Sequence, residues 1–256
     1  MENSIMEEIC IRHVAKSYTT LSTDLVIGNA KRPSRTRTVL HDVNLSFPAG
    51  KLSVIVGRSG CGKSTLLKML AGTETPDAGE ISMPEGWHSA LLSPEPYVIT
   101  WTNVRQNVAM ASGVGKTPEE RYEHAMEYVK LVGLEEYADL SPVELSTGMK
   151  QRLGLARVLA SQAQLLLMDE PFASLDFITR TELQNQVLRL QKTMPRTIVL
   201  VTHQLDEALL LGQSVTVMHE GGAAETFDLA HLSYPRDLSS PELLQLKEAI
   251  TQACRK

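Results

Sequence analysis

The stretch that decides the reading is Lys51–Thr65, KLSVIVGRSGCGKST. Lys51–Val56 is a short, mostly apolar run rich in β-branched residues, the composition of a buried strand. Gly57–Thr65 follows at once and fits G-x-x-x-x-G-K-[ST]. Glycines let backbone N–H groups converge on phosphate oxygens without a Cβ in the way. A helix beginning near Gly62 adds its positive end. Gly57, Arg58, Ser59, Gly60, Cys61, Gly62, Lys63, Ser64 and Thr65 are therefore the candidate phosphate-binding residues. In such a loop the lysine, Lys63, reaches the β- and γ-phosphates of a bound nucleotide, and the Ser64 hydroxyl is a ligand for Mg²⁺. Lys63–Ala71 reads as the helix, with Gly72 as its stop.

Working outward, the same alternation recurs. The apolar run Leu165–Met168 ends in Asp169-Glu170-Pro171 and a helical pattern follows over Asp176–Lys192. Thr197–Val201 ends in Thr202-His203 and leads into Gln204–Leu211, and Ser214–Met218 precedes Gly221-Gly222. Strands alternating with helices predict an α/β fold with a mostly parallel sheet covered on both faces. Functional groups collect at the carboxyl ends of such strands, and three of these strands end in the most reactive residues of the chain. Between about Pro94 and Gln162 the pattern turns helical, with Thr117–Gly133 and Ser146–Ser161 the clearest segments. Ser146 is placed to cap the second. Ser240-Pro241-Glu242 opens a last helix, with serine as cap and proline at its first position. Thr19–Thr38 is polar, carries Lys31, Arg32, Arg35 and Arg37 around Pro33, and reads as a solvated loop.

The bulk composition narrows the class. The chain has 256 residues with a formal net charge of −5. That gives no overall basic footprint for nucleic acid. Three scattered cysteines, Cys10, Cys61 and Cys254, favour a reducing compartment over a disulfide framework. The first residues, MENSIMEEIC, are acidic where a secretory signal is basic. No apolar run approaches the ~18 residues of a membrane helix.

An aspartate after the strand LLLM, here Asp169, suits a hydrated Mg²⁺, and the adjacent Glu170 suits a base that polarises water for attack on a γ-phosphate. Alone the pair would be an ordinary strand-end turn; it gains meaning beside the phosphate loop. Together and in this order the pieces resemble the ATP-binding subunit of an ABC transporter, over nearly the whole chain. Leu145-Ser146-Thr147-Gly148-Met149-Lys150-Gln151-Arg152 resembles that family's signature, and LLLMDEPFASLDFITR resembles its second acidic motif followed by the loop that ends in Asp176. VTHQLDEALLL resembles the switch segment, with His203 as its histidine, and Tyr18 resembles the aromatic that stacks on adenine. Trp101-x-x-Val104-x-x-Asn107-Val108 and the tail YPRDLSSPELLQLKEAI resemble the nitrate/sulfonate/taurine importer subgroup.

The resemblance implies one P-loop NTPase (RecA-like) domain over residues 1–256. Its α/β core covers 1–92 and 162–235, with an antiparallel β portion at the N-terminus. A helical subdomain spans 93–161 and a C-terminal helix 236–256. It also implies a second ATPase subunit, identical or related, whose phosphate-bound ATP is met by Ser146 and Gly148 of this chain, with Asp176 linking the two sites. Membrane permease subunits would convert closure into import, a solute-binding protein would act through them, and the chain would sit peripherally on the cytoplasmic side of the membrane. A soluble ABC ATPase working on DNA or ribosomes would carry a long heptad insertion, tandem cassettes or a basic arm, and none is present.

Three positions depart from the family pattern. The glutamine that closes the strand before the helical subdomain is replaced by Pro94, which can neither ligate a metal nor orient a water; Ser93 and Glu95 are the nearest polar substitutes. This leaves open an ATP-gated subunit with weak hydrolysis. Thr147 stands for the first signature glycine, and Arg58 stands where proline is common.

Overall fold

In the computed structural model, which describes residues 8–21 and 34–255, the chain opens with two long antiparallel strands. They are β1 (Glu8–Leu21) and β2 (Ser34–Pro48). β3 (Leu52–Val56), buried at every position, runs into α1 (Lys63–Leu70). β4 (Ala78–Ser82) and β5 (Ser89–Leu92) follow. Then come α2 (Val104–Ser112), α3 (Pro118–Leu131) and α4 (Thr147–Ala160). The second half alternates β6 (Leu165–Asp169), α5 (Phe177–Thr193), β7 (Thr197–Val201), α6 (Leu205–Leu211) and β8 (Ser214–Met218). It ends with β9 (Ala224–Asp228) and α7 (Pro241–Ala253).

Two sheets result. The larger has the order β5-β6-β7-β3-β8-β9, parallel throughout except for the last pair. The fold is thus the expected α/β class with a mostly parallel sheet. The smaller is antiparallel, in the order β2-β1-β4. α1 lies between the two. Its Leu66, Leu67 and Leu70 pack with Ile9, Val14, Leu40 and Phe47 of the small sheet and with Ile55, Leu167 and Val199 of the large one. A second core joins the other face of the large sheet to α2–α7. A helix apolar on more than one side and trapped between layers is fixed by burial rather than by propensity.

Two expectations change. Thr19–Thr38 does not read through as loop: the ladder continues from Tyr18↔Arg37 to Leu21↔Ser34, so both flanks are strand. Polar residues suit an antiparallel pair with one solvated face, and Thr19, Thr36, Arg37 and Thr38 are exposed. Lys31, Arg32 and Pro33 lie outside the described residues, as do residues 1–7 of the acidic N-terminus. Ser240 does stand at the start of α7, but its side chain makes no capping hydrogen bond. Among the described residues no helix is long and apolar enough to cross a membrane.

Phe47 is 1% exposed and joins the small sheet to α1. Phe47→Ala is expected to cost about 3–5 kcal/mol, read as a lower urea midpoint. A shift below about 1 kcal/mol would mean that this layer packs loosely.

Candidate active site

The strand order sets the site. β5, β6, β7 and β3 are consecutive neighbours, and their carboxyl ends deliver Pro94, Asp169-Glu170, Thr202-His203 and the glycine loop to one edge. Arg37, Val39, Ser59, Gly60, Gly62, Lys63, Ser64, Thr65, Pro94, Asp169, Glu170 and Val201 line a cleft of about 370 Å³.

Gly57 and Gly62 have φ of 155° and 107°. A Cβ on Gly57 would stand 2.2 Å from the Met218 carbonyl oxygen, and one on Gly62 would stand 2.3 Å from Leu40 Cδ2. Only glycine fits at either place. Cys61 is buried in the core between them, while Arg58 is exposed. Lys63 Nζ donates to the carbonyl oxygens of Gly57 at 2.8 Å and Arg58 at 2.9 Å. The lysine thus ties the two ends of its own loop.

Asp169 is 4% exposed. Burial pushes its carboxyl up; the neighbouring Ser64 hydroxyl and Lys63 ammonium work the other way. A buried carboxylate and a hydroxyl lining one cleft are hard oxygen donors, suited to Mg²⁺ rather than to a softer ion. Among the described residues no group of three or more His, Cys, Asp or Glu side chains forms a cage. An ion that keeps waters and takes phosphate oxygens as further ligands fits such a sparse set.

Glu170 holds φ at +52°, rare for a residue with a side chain. Conformations of this kind cost on the order of 1–3 kcal/mol and persist only where neighbours over-determine them. The neighbours are present. The Glu170 N–H donates to the Val201 carbonyl at 2.9 Å. Gln151 of α4, 2% exposed, donates its Nε2 to the carbonyls of Glu170 and Pro171, each at 3.3 Å. The side chain is then set by His203, whose Nδ1 lies 2.8 Å from Glu170 Oε1. The role of Gln151 was hidden in the sequence, because nothing local links positions 19 residues apart.

The remaining predicted residues lie elsewhere. Ser146 caps α4 through Met149 N–H at 3.3 Å and is exposed. Thr147 is the first residue of α4, a position that asks nothing of glycine. Gly148 abuts the Ser174 carbonyl, 3.2 Å from a would-be Cβ. Asp176 caps α5, accepting from Thr179 N–H at 3.0 Å, which holds its carboxyl below the usual range. None of these lines the cleft. Tyr18 does not line it either; it lies directly across the ladder from Arg37, which does. Ser93 faces a separate cavity of about 250 Å³ and Glu95 is exposed, so neither takes the place of the glutamine that Pro94 replaces. The subgroup-like tail clamps the switch helix: Arg236 donates to the carbonyls of Leu209 and Gly212 at the end of α6, at 2.7 and 2.6 Å.

Comparison with known proteins agrees with this geometry. Residues 40–173 match the ABC transporter family. The chain is 39% identical over 207 residues to the taurine import ATP-binding protein TauB of Pseudomonas aeruginosa (strain UCBPP-PA14), covering 77% of this chain and 78% of that protein. It is 40% identical over 226 residues to the aliphatic sulfonates import ATP-binding protein SsuB 1 of Shouchella clausii (strain KSM-K16), covering 88% and 89%. The nitrate import ATP-binding protein NrtC of Synechococcus elongatus is 39% identical over 216 residues, 80% of this chain and 33% of that protein. Among solved structures, a dimeric bacterial ABC transporter cassette superposes with a TM-score of 0.75 at 25% identity, covering 86% of this chain and 98% of that one.

Behind the switch turn sits a buried carboxyl. Glu207 of α6 is 3% exposed and accepts from Gln184 Nε2 of α5 at 2.8 Å. Burial pushes its carboxyl up, against hydrogen bonds from Thr202 and Gln184 that pull it down. A raised folded-state pKa means the proton is held more tightly folded than unfolded. Stability is then fully present below the unfolded pKa and is lost as pH rises toward the folded one. Glu207→Gln keeps an acceptor for Gln184 and removes the buried charge. It is expected to melt higher than the parent at about pH 7.5, with the gain shrinking toward about pH 4. A gain independent of pH would break this account.

Proposed function

The chain belongs to the ABC transporter family, and on that premise we propose that it is the ATP-binding, ATP-hydrolysing subunit of an importer for small solutes of the nitrate, sulfonate and taurine kind. The observation that carries this is the convergence of the glycine loop, Ser64, Asp169 and Glu170 on one cleft, with His203 beside it at hydrogen-bond distance from Glu170. Loop N–H groups and Lys63 bind the phosphates of ATP. Ser64 and Asp169 would hold Mg²⁺, which would supply positive charge against the bound phosphates. Glu170 takes a proton from the attacking water, and His203 fixes the orientation of that carboxylate while its ring reaches the γ-phosphate. Tyr18 supplies a stacking face for adenine at the rim.

Ser146, Gly148 and Asp176 have no place in this chain's own cleft, which supports a role toward the ATP held by a second ATPase subunit, identical or related. The start of α4 then directs its positive end at that phosphate, and two ATPs favour the closed dimer. Tyr97 and Trp101 are 85% and 83% exposed, Met110 is 61% exposed, and all three follow Pro94 in the chain. Apolar exposure of this kind supports docking of a permease. A solute-binding protein acts through that permease, and the subunit lies peripherally on the cytoplasmic face of the membrane.

Pro94 favours a second reading, an ATP-gated subunit that hydrolyses little, because it lines the cleft where an amide would orient water. Steady-state Mg-ATP hydrolysis by the full chain tests both. Turnover is expected to fall on the order of 10²-fold or more in Glu170→Gln, with an ATP-bound dimer that persists on a sizing column. Unchanged turnover removes Glu170 from its role. Pro94→Gln is expected to raise turnover if the missing amide limits the rate; a parent that binds ATP without turnover and gains hydrolysis in Pro94→Gln selects the second reading.

A further inference from the structure

Four cations cluster in the sequence between Lys31 and Arg37, and the structure brings one of them to the site. Arg37 lines the cleft. A Cβ built on Gly60 of the phosphate loop would stand 3.5 Å from Arg37 Nη2. We propose that Arg37 is a nucleotide-binding residue, a second cationic arm that takes a phosphate oxygen of the bound triphosphate from the side opposite Lys63. This rests on the nucleotide reading of the cleft.

The backbone aims Arg37 there. Ser17 pairs with Thr38, Tyr18 with Arg37 and Thr19 with Thr36. The side chains of Ser17 and Thr38 meet at 3.0 Å, as do those of Thr19 and Thr36. Thr36 and Thr38 therefore share one face of β2, and strand alternation puts Arg37 on the other. A register shift between Lys16 and Ser17 leaves Val39 without a ladder partner. Bulges of this kind re-aim side chains, and here Val39 and Leu40 both meet Gly62, at 3.2 and 2.3 Å from a would-be Cβ. Arg37 and Val39 thus form one wall of the cleft, built on paired strand.

Charge gives the arm a purpose. The ionisable side chains lining the cleft are two cations, Arg37 and Lys63, and two carboxylates, Asp169 and Glu170. Without Arg37 the cleft would carry one net negative charge, a poor start for a polyanion. Among the described residues Arg37 forms no hydrogen bond or ion pair, so its guanidinium is not committed to a structural partner. A planar fork of donors is also the group best matched to a phosphate oxygen pair.

The test is calorimetric titration of the full chain with the β,γ-imido analogue of ATP and with AMP, in parent, Arg37→Ala, Arg37→Lys and Lys63→Ala. Arg37→Ala is expected to weaken binding of the triphosphate analogue about tenfold, a charged hydrogen bond's worth, and AMP binding by less than about twofold. Arg37→Lys is expected to recover part of the loss. Equal affinity of parent and Arg37→Ala for the triphosphate analogue, with Lys63→Ala impaired, overturns the role of Arg37 and leaves the site standing. An equal loss for AMP and the triphosphate analogue also overturns it, by making Arg37 a contact to the nucleoside or to the strand. Undiminished binding by Lys63→Ala overturns the nucleotide reading itself, and this inference with it.

Discussion

The glycine loop can exist only because two close approaches leave no room for a side chain. Gly57 presses on the Met218 carbonyl of the large sheet, and Gly62 presses on Leu40 of the small one. The loop is therefore pinched between the two sheets rather than hung from one strand. α1 continues from the pinch as the shared core of both layers. Move either sheet and the loop, the helix behind it and the strand wall carrying Val39 shift together. The binding surface and the packing of the small sheet are one mechanical unit.

The acidic side of the cleft obeys a different constraint. Glu170 sits in a backbone conformation its side chain disfavours, so its position is decided from outside. β7 holds its N–H, α4 holds its carbonyl through Gln151, and the turn after β7 holds its carboxylate through His203. Gln151 belongs to the same helix whose start carries Ser146. A displacement of α4 is thereby tied to the orientation of Glu170. On the other side, Arg180 of α5 donates to Gln204 at 3.0 Å and to the Leu175 carbonyl at 2.9 Å, joining the loop before Asp176 to the switch turn. The residues that face outward and those that face the cleft share supports, which is the geometry a subunit needs if assembly is to be felt at the reacting atoms.

Pro94 stands out against this background. The end of β6 brings two carboxylates to the cleft and the loop after β3 brings Lys63 and Ser64, whereas the end of β5 contributes an apolar ring. Its polar neighbours turn away, Ser93 into a separate cavity and Glu95 into solvent. In the proposed function, the cleft thus holds the groups that would bind phosphate and carry a base, and it departs from the family pattern where Pro94 replaces a side-chain amide.

Local chemistry was legible in the sequence. The glycine spacing, the strand ending in Asp169-Glu170, the strand ending in Thr202-His203 and the apolar alternation are all statements about residues within one turn or one strand of each other. Composition and periodicity suffice for these, and the strands at Thr197–Val201 and Ser214–Met218 form where they were read. Four things needed the tertiary structure. The polar flanks around Arg37 became strand because pairing with β1, 13 to 21 positions distant, outweighs their local polarity. Gln151 acquired a role from a carbonyl across the fold. Tyr18 came to lie beside the cleft instead of lining it, and Arg37, which had read as solvated, came to line it. Sequence spacing fixes what a short segment can do; which segments meet is decided by the burial of α1 between two sheets, and burial is a property of the whole chain.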